Sequence, residues 1–241
     1  MVEKGLVPSR EKAQALIISG AVKVNGQLVR KSGQKIREDT LIEIITPPCP
    51  YVSRGGIKLE GAIKRFGINV DSKVCLDVGA STGGFTDCLL QHGAKRVYAV
   101  DVGWGQLHWK LRNDPRVICL ERRNIRYLPK EKVPEEVDLV TIDTSFISLK
   151  LVIPAVLKFL KEKAEILALI KPQFEVGKGE VEKGGVVRDP QKHKRVIEEI
   201  WTFSQNLGLH PVGVMESPIL GPKGNKEFFI YIIKDGENQE P

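Results

Sequence analysis

The sequence predicts an α/β fold: a mainly parallel sheet with helices on both faces and an antiparallel last strand, preceded by a small basic α+β section. Three observations carry this. Beyond residue 58, apolar runs of strand length ("VCLDVG", "VYAVDVG", "VICLE", "VDLVTID", "EILALIK") alternate with helical patterns. These runs show little in–out alternation, as befits strands buried on both faces. A proline-rich break, "TPPCPYVSRGG", separates them from an opening section of different rhythm, and prolines, lacking an amide donor, cannot continue a sheet interior.

In chain order, Ser9 caps a helix that carries Ala13, Leu16 and Ile17 on one face, and Gly20 ends it. "AVKVNGQLV" alternates around Asn25-Gly26, a hairpin signal, and "LIEII" is a third strand. Residues 1–46 are therefore expected to form the small domain, 47–57 a linker and 58–241 the large domain. In the large domain a helix opens at Gly83, and "ISLKLVIPAVLKFL" and "QKHKRVIEEIWTFSQNLG" are further helices. "HPVGVMESPI" and "EFFIYIIK", joined by the short "LGPKGN", form an antiparallel hairpin at one side of the sheet.

The 241 residues are 41% hydrophobic, ample for one large core and a small one. Cys49, Cys75, Cys88 and Cys119 show no C-x-x-C spacing and are expected to be free thiols in a reducing compartment. His92, His108, His193 and His210 show no ligand spacing, so no metal is expected. No apolar run approaches the roughly 18 residues of a membrane span, and the N-terminus lacks a signal-peptide core. A soluble cytoplasmic protein is expected. Of the net charge of +7, residues 1–58 hold +5, with ten Lys or Arg against five Asp or Glu. A basic arm of this kind suits polyphosphate. Arg10, Lys12, Lys23, Arg30, Lys31 and Arg54 are the candidate RNA contacts.

The stretch "LDVGASTGGFTDCLL" (76–90) turns on glycines between a strand and a helix. It lacks the middle glycine of the dinucleotide fingerprint, where Ser81 stands instead, and it is not a P-loop. Asp101, ending the next strand, can accept hydrogen bonds from both hydroxyls of a ribose. Asp77 would lie under the turn near an amino group. Helix N-terminal amides after Thr82 suit a carboxylate, and Gly83 and Gly84 let the backbone come close. A ribose plus an amino-acid end describes S-adenosylmethionine better than a pyrophosphate. Trp104 and Trp109 are expected to be packing residues. The long, charged, glycine-bearing segment 172–190 reads as a lid or an RNA-clamping loop.

"DVGASTGGF" resembles the cofactor loop of the FtsJ-type ribose 2′-O-methyltransferases. With "SREKAQALIISGAVKVNG", "SRGGIKL", "DTSFISL", "IKPQFEVGK" and "GNKEFF", nearly the whole chain resembles the TlyA (haemolysin A) family of rRNA 2′-O-methyltransferases. The resemblance implies an RNA-binding domain of the ribosomal-protein S4 type followed by a Rossmann-like methyltransferase domain, with ribosomal RNA as partner and the 2′-hydroxyl of a cytidine as acceptor. It implies a catalytic tetrad at Lys58, Asp143, Lys171 and Glu227, and cofactor contacts at Gly79, Ser81, Gly83, Phe85, Asp101 and Asn124. Only "MVEK" stands ahead of "GLVPSR", where the family usually has a further helical stretch, so a shortened first helix is expected.

Methyl transfer to a hydroxyl requires in-line alignment and removal of a proton. Asp143 and Lys171 should end neighbouring strands and Glu227 should start the final one, so these polar ends can converge with Lys58 on one hydroxyl. A free lysine titrates near 10.4 and is a poor base at neutrality. Two roles for Lys171 therefore stand open, general base or charged orienter. Three rival readings are weaker. A membrane-lytic protein would need an apolar span, barrel strands or a basic amphipathic helix. An RNA-binding protein without catalysis would not need the four polar residues, and a nicotinamide oxidoreductase would need the missing glycine.

Overall fold

The computed structural model describes residues 1–18, 20–29, 31–37, 39–45, 49–177 and 179–236. Arg30, one of the candidate RNA contacts, lies outside the described residues. The chain divides into two compact units, Met1–Pro50 and Tyr51–Pro241.

In the first unit, residues 2–8 form turns and bends and α1 spans Arg10–Ile18. Ser9 Oγ accepts a hydrogen bond from Lys12 N at 3.2 Å, capping the helix. Ala21 N donates back to Leu16 O at 2.9 Å and closes its other end. β1 (Val22–Val24) and β2 (Gln27–Leu28) meet at Asn25 and Gly26, both at positive φ, as a type I′ hairpin requires. β3 (Ile42–Ile44) pairs antiparallel with the other edge of β1. Val7, Ala13, Leu16, Ala21 and Val22 form the core of this unit.

The second unit begins earlier than the sequence reading placed it. Tyr51 is buried and Val52 N donates to Asp87 Oδ2 at 2.8 Å. Gly55 and Gly56 open α2 (Gly55–Phe66) instead of ending a linker. A Cβ on Gly56 would fall on the Tyr51 ring, so this glycine serves close packing. After α2 come β4 (Val74–Val78), α3 (Gly84–Gln91), β5 (Arg96–Val100), α4 (Trp109–Arg112), β6 (Val117–Leu120) and β7 (Val137–Ile142). Then follow α5 (Leu149–Val156), β8 (Leu160–Ile170), α6 (Pro172–Glu175), α7 (Pro190–Asn206), β9 (His210–Glu216) and β10 (Phe228–Lys234).

The seven strands of this sheet lie in the order β6-β5-β4-β7-β8-β10-β9. The first five run parallel, whereas β10 is antiparallel to both β8 and β9. The chain moves outward from β4 to β5 and β6, then returns to β7 on the other side. Such a reversal opens a crevice at the carboxyl ends of the strands. The register brings those ends level: Val78 pairs with Val100 and Ile142, and Ile142 with Ala168. Because β10 is antiparallel, its beginning lies at the same edge, where Phe228 pairs with Ile170. Continuing that register sets Glu227 across from Lys171. Leu76, Tyr98, Val140, Ile153, Phe159, Ile166, Ile200 and Ile230 belong to the main core. Burying a side chain of this kind stabilises the fold by about 1.5–3 kcal/mol. Cys75 and Cys88 are buried free thiols, whereas Cys49 and Cys119 are half-buried.

Candidate active site

The turn after β4 is built by backbone. Gly79 sits at φ 86°, its N donating to Val100 O at 2.9 Å. A Cβ there would lie 2.5 Å from Asp143 O, so the turn crosses the end of β7 with no room for a side chain. Ser81 N donates to Asp101 Oδ2 at 2.8 Å and Gly103 N to Asp101 Oδ1 at 2.7 Å. A carboxylate has about four acceptor sites, so Asp101 keeps capacity for two ribose hydroxyls. Gly79, Ser81, Asp101, Asn124 and Asp143 border a cavity of about 510 Å³, inside the roughly 300–1,000 Å³ of small-molecule sites. Asn124 Oδ1 also accepts from Arg126 N at 3.0 Å, holding the turn that follows β6.

Two of the expected cofactor residues serve the turn from behind. Asp77 is fully buried and borders none of the cavities described here. Its Oδ2 accepts from Thr86 Oγ1 at 2.7 Å and its Oδ1 from Thr141 Oγ1 at 3.0 Å. Asp77 is therefore a strut between β4, the first turn of α3 and β7. Burial pushes its carboxyl up to about 7, against the lowering pull of the two threonine hydroxyls. Gly83 likewise borders none of these cavities; a Cβ there would strike the Leu111 and Leu107 side chains. Gly84 and the buried Phe85 do border an adjoining cavity of about 440 Å³, with Arg54, Lys58, Asp143 and Gly221. Phe85 is held there by stacking on Phe229, with centroids 6.0 Å apart.

The four polar residues form two ion pairs. Lys58, on α2, donates from Nζ to Glu227 Oε2 at 2.6 Å. Lys171, just beyond β8, stands 2.6 Å from Asp143 Oδ1 and donates to Ser145 Oγ at 2.9 Å. The Lys171–Asp143 contact is an ion pair without hydrogen-bond alignment, since Asp143 Oδ1 has no hydrogen-bond partner among the described residues. Glu227 is fully buried and its Oε1 has no partner among the described residues. Lys171 and Glu227 share a third cavity, of about 330 Å³, with Phe146, Gln173, Phe174 and Lys223. The three cavities are continuous in their walls: Asp143 borders the first two, Pro222 the second and third, and Ser145 and Phe146 the first and third.

Sequence reasoning missed Ser145 and Gly221. Ser145 lies two residues beyond Asp143 in "DTSF", a proximity that could have flagged it. Gly221 left no signal, because what it avoids is distant in sequence: a Cβ there would fall on the Glu227 carboxyl group. Trp104 and Trp109 are not packing residues; they are 68% and 71% exposed. Described residues of the segment 172–190 are anchored at several points. Asn225, itself buried, accepts from Val187 N at 3.1 Å and donates to Gly185 O at 2.9 Å. Arg195 grips Glu180, and Arg188 grips Glu182.

Of the expected RNA contacts, Arg10 and Lys31 are exposed and Lys12 and Lys23 half-buried in the first unit. None of the four forms an ion pair with a described residue. Arg54 belongs to the second unit and donates to Leu220 O at 3.2 Å.

Residues 51–234 match the FtsJ-like methyltransferase family, and residues 1–42 match the S4 domain. The chain belongs to the FtsJ-like methyltransferase family. It is 48% identical over 233 residues to the 16S/23S rRNA (cytidine-2′-O)-methyltransferase TlyA of Mycobacterium tuberculosis, covering 96% of this chain and 87% of that protein. It is 45% identical over 231 residues to Hemolysin A of Brachyspira hyodysenteriae, covering 95% and 96%. A solved hemolysin-type structure from Streptococcus thermophilus superimposes with a TM-score of 0.80 at 42% identity, covering 97% of this chain and 86% of that one. A solved S-adenosylmethionine-dependent methyltransferase from Aquifex aeolicus, 19% identical with a TM-score of 0.52 over 76% of this chain and 93% of that one, shares the fold. Among the described residues no helix is long and apolar enough to cross a membrane.

Proposed function

We propose that the protein transfers a methyl group from S-adenosylmethionine to the 2′-hydroxyl of a cytidine in ribosomal RNA, in the cytoplasm. The observation that carries this is the meeting of Asp143 and Lys171 at 2.6 Å beside the Gly79–Asp101 cavity, with the Lys58–Glu227 pair at the same sheet edge. The residues present fit the cofactor. Asp101 offers acceptors for a ribose, the side-chain-free Gly79 lets the chain approach closely, and Asp143 stands where the cavities join. When bound, the cofactor supplies an electrophilic methyl group on a positively charged sulfur.

The residues of this chain then have two tasks, to align the acceptor hydroxyl and to receive its proton. Ser145 and Asp143 fix Lys171 Nζ from two sides. Lys58 fixes Glu227 Oε2 and leaves Oε1 as a buried acceptor without a partner among the described residues. Lys171 serves either as the base that takes the proton or as a charged group that orients the hydroxyl oxygen. The basic residues of the first unit supply phosphate contacts, and the Mycobacterium tuberculosis relative's name points to cytidine in ribosomal RNA.

The test uses the acceptor itself. An rRNA substrate with 2′-deoxyribose at the modified position should accept no methyl group while binding nearly as well as the natural RNA. Methylation of the deoxy substrate would overturn the ribose reading and point to a base methyltransferase.

A further inference from the structure

The loops beyond β5 and β6 carry a surface that the transfer chemistry leaves unused. Trp104 is 68% exposed and Tyr127 70% exposed. Each has an arginine over its ring: Arg122 at 4.8 Å from the Trp104 centroid and Arg126 at 4.9 Å from that of Tyr127. Arg126 also donates to the Tyr127 hydroxyl. Among the described residues, Arg122, Arg123 and Arg126 form no ion pair, whereas their neighbours Arg112 and Arg116 are neutralised by Glu121 and Asp114.

The platform is rigid. Asp101 Oδ1 accepts from Gly103 N at 2.7 Å, and Glu121 Oε1 accepts from Gln106 N at 3.1 Å and Leu107 N at 3.3 Å, bracing the loop on both sides of Trp104. Arg122 N donates to Gly103 O and Arg123 N to Asp101 O, each at 2.9 Å, so the two loops move as one. Arg122 is held at φ 54°, a conformation unfavourable for a long side chain. Asn124 connects this surface to the cavity of Asp101, whose wall it forms.

We propose that Trp104 and Tyr127 are stacking platforms for unpaired nucleotides of the RNA substrate, with Arg122, Arg123 and Arg126 on the flanking phosphates. The partner's identity as RNA rests on the rRNA methyltransferase reading above. Aromatic faces that receive bases, interleaved with cations that meet the backbone, are what single-stranded nucleic acid requires. Three arginines within five residues, none in an ion pair with a described residue, make a local cationic surface suited to a phosphate backbone. The surface borders the cofactor cavity, so strands held there flank the nucleotide being methylated.

The experiment measures binding of the full chain to a fluorescently labelled single-stranded oligoribonucleotide and to the duplex of the same sequence. Titration with S-adenosylhomocysteine confirms that each variant is folded. Trp104→Ala should weaken single-strand binding about 5- to 100-fold, and Tyr127→Ala should act in the same direction. Trp104→Phe should recover most of the loss, and duplex binding should change much less. Arg122→Gln should flatten the slope of log K against log salt by about 0.7, whereas Trp104→Ala should leave the slope unchanged. Unchanged single-strand affinity in the Trp104→Ala/Tyr127→Ala double variant would overturn the proposal, as would equal losses on single strand and duplex. Loss of binding to intact ribosomal subunits with normal binding to protein-free RNA would assign the surface to a ribosomal protein, and also overturn it. None of these readouts needs methyl transfer. A wild-type chain that binds RNA through Trp104 yet methylates nothing would sink the proposed reaction and leave this surface standing.

Discussion

The two halves of the crevice are built on opposite principles. The half proposed to hold the cofactor comes from a compact stretch, Gly79 to Asn124, and relies on backbone amides, one close crossing and one carboxylate. The half proposed to carry the reaction gathers Lys58, Asp143, Lys171 and Glu227 from across the chain, with Lys58 and Glu227 169 residues apart. It consists of paired side chains, three of them buried and Asp143 half-buried. A backbone-built site should tolerate most side-chain changes and fail when a glycine acquires a Cβ. In a site of buried ion pairs each member is exposed to loss of its partner, and breaking such a pair typically costs about 3–5 kcal/mol.

The largest effect should come from Lys171, and it separates the halves most cleanly. Lys171→Ala should lower the rate of methyl transfer by about 10²–10⁴-fold, the usual cost of losing a positioned proton-transfer group, with affinity for S-adenosylhomocysteine little changed. Lys171→Arg distinguishes the two roles. Arginine keeps the charge but cannot give up its proton, so it should be as inactive as alanine if Lys171 is the base. Substantial activity in the arginine variant would assign the orienting role. A parallel fall in cofactor affinity would show that the halves are not separable.

Gly221→Ala probes the reaction half by volume alone. The backbone there, φ −72° and ψ −173°, suits any residue, so strain is not introduced. The new Cβ would occupy the place of the Glu227 carboxyl group and drive it away from Lys58. A displacement near 1 Å can cost on the order of 10²-fold in rate. Single-turnover methylation should register that loss, and thermal stability should fall as well, because separating the buried Lys58–Glu227 pair typically costs about 3–5 kcal/mol. Wild-type turnover would show that Glu227 need not sit where it does.

Asp101→Ala is the corresponding cut on the other side. It removes the proposed acceptor for the ribose and the anchor for Ser81 N and Gly103 N. Affinity for S-adenosylhomocysteine, by calorimetry, should fall about tenfold or more, in keeping with the cost of unpairing buried or charge-assisted hydrogen bonds. Unchanged affinity in a folded variant would remove Asp101 from the ligand.

The contrast also explains what could be read in advance. The strands, the hairpin at Asn25-Gly26 and the turn at Gly79 follow from neighbours in sequence, because period, turn residues and the strand-to-helix switch are local properties. The pairing of Lys58 with Glu227 is not local, and only the resemblance pointed to it. Gly221 was invisible for the same reason, since its meaning is a carboxyl group from another segment. Gly55 and Gly56 read as linker because flexibility and tight packing use the same residue, and only the Tyr51 ring distinguishes them. The tryptophans read as core because exposed aromatics are the rarer case, and exposure depends on which face of the sheet edge remains bare.

Asp77 is the point where the halves touch, and its substitution should have the smallest effect on transfer. It lies beneath the cofactor turn and is tied to Thr141, two residues before Asp143. Burial raises its carboxyl to about 7 in the folded chain, whereas an unfolded chain would release the proton near 3.9. Between those values the folded state holds more protons than the unfolded one. The contribution of Asp77 to stability therefore falls as pH rises from about 4 to about 7, then levels off. Asp77→Asn cannot ionise and should lack that fall. In urea unfolding between pH 5 and 8, wild-type stability measured against the variant should decline with rising pH, by at most about 3 kcal/mol, since roughly two units of the shift fall in this window at 1.36 kcal/mol per unit of pKa. The comparison with the variant cancels the other titrating groups, many of which act with opposite sign. A constant difference across this range would mean that Asp77 is ionised throughout, with Thr86 and Thr141 offsetting the full cost of its burial.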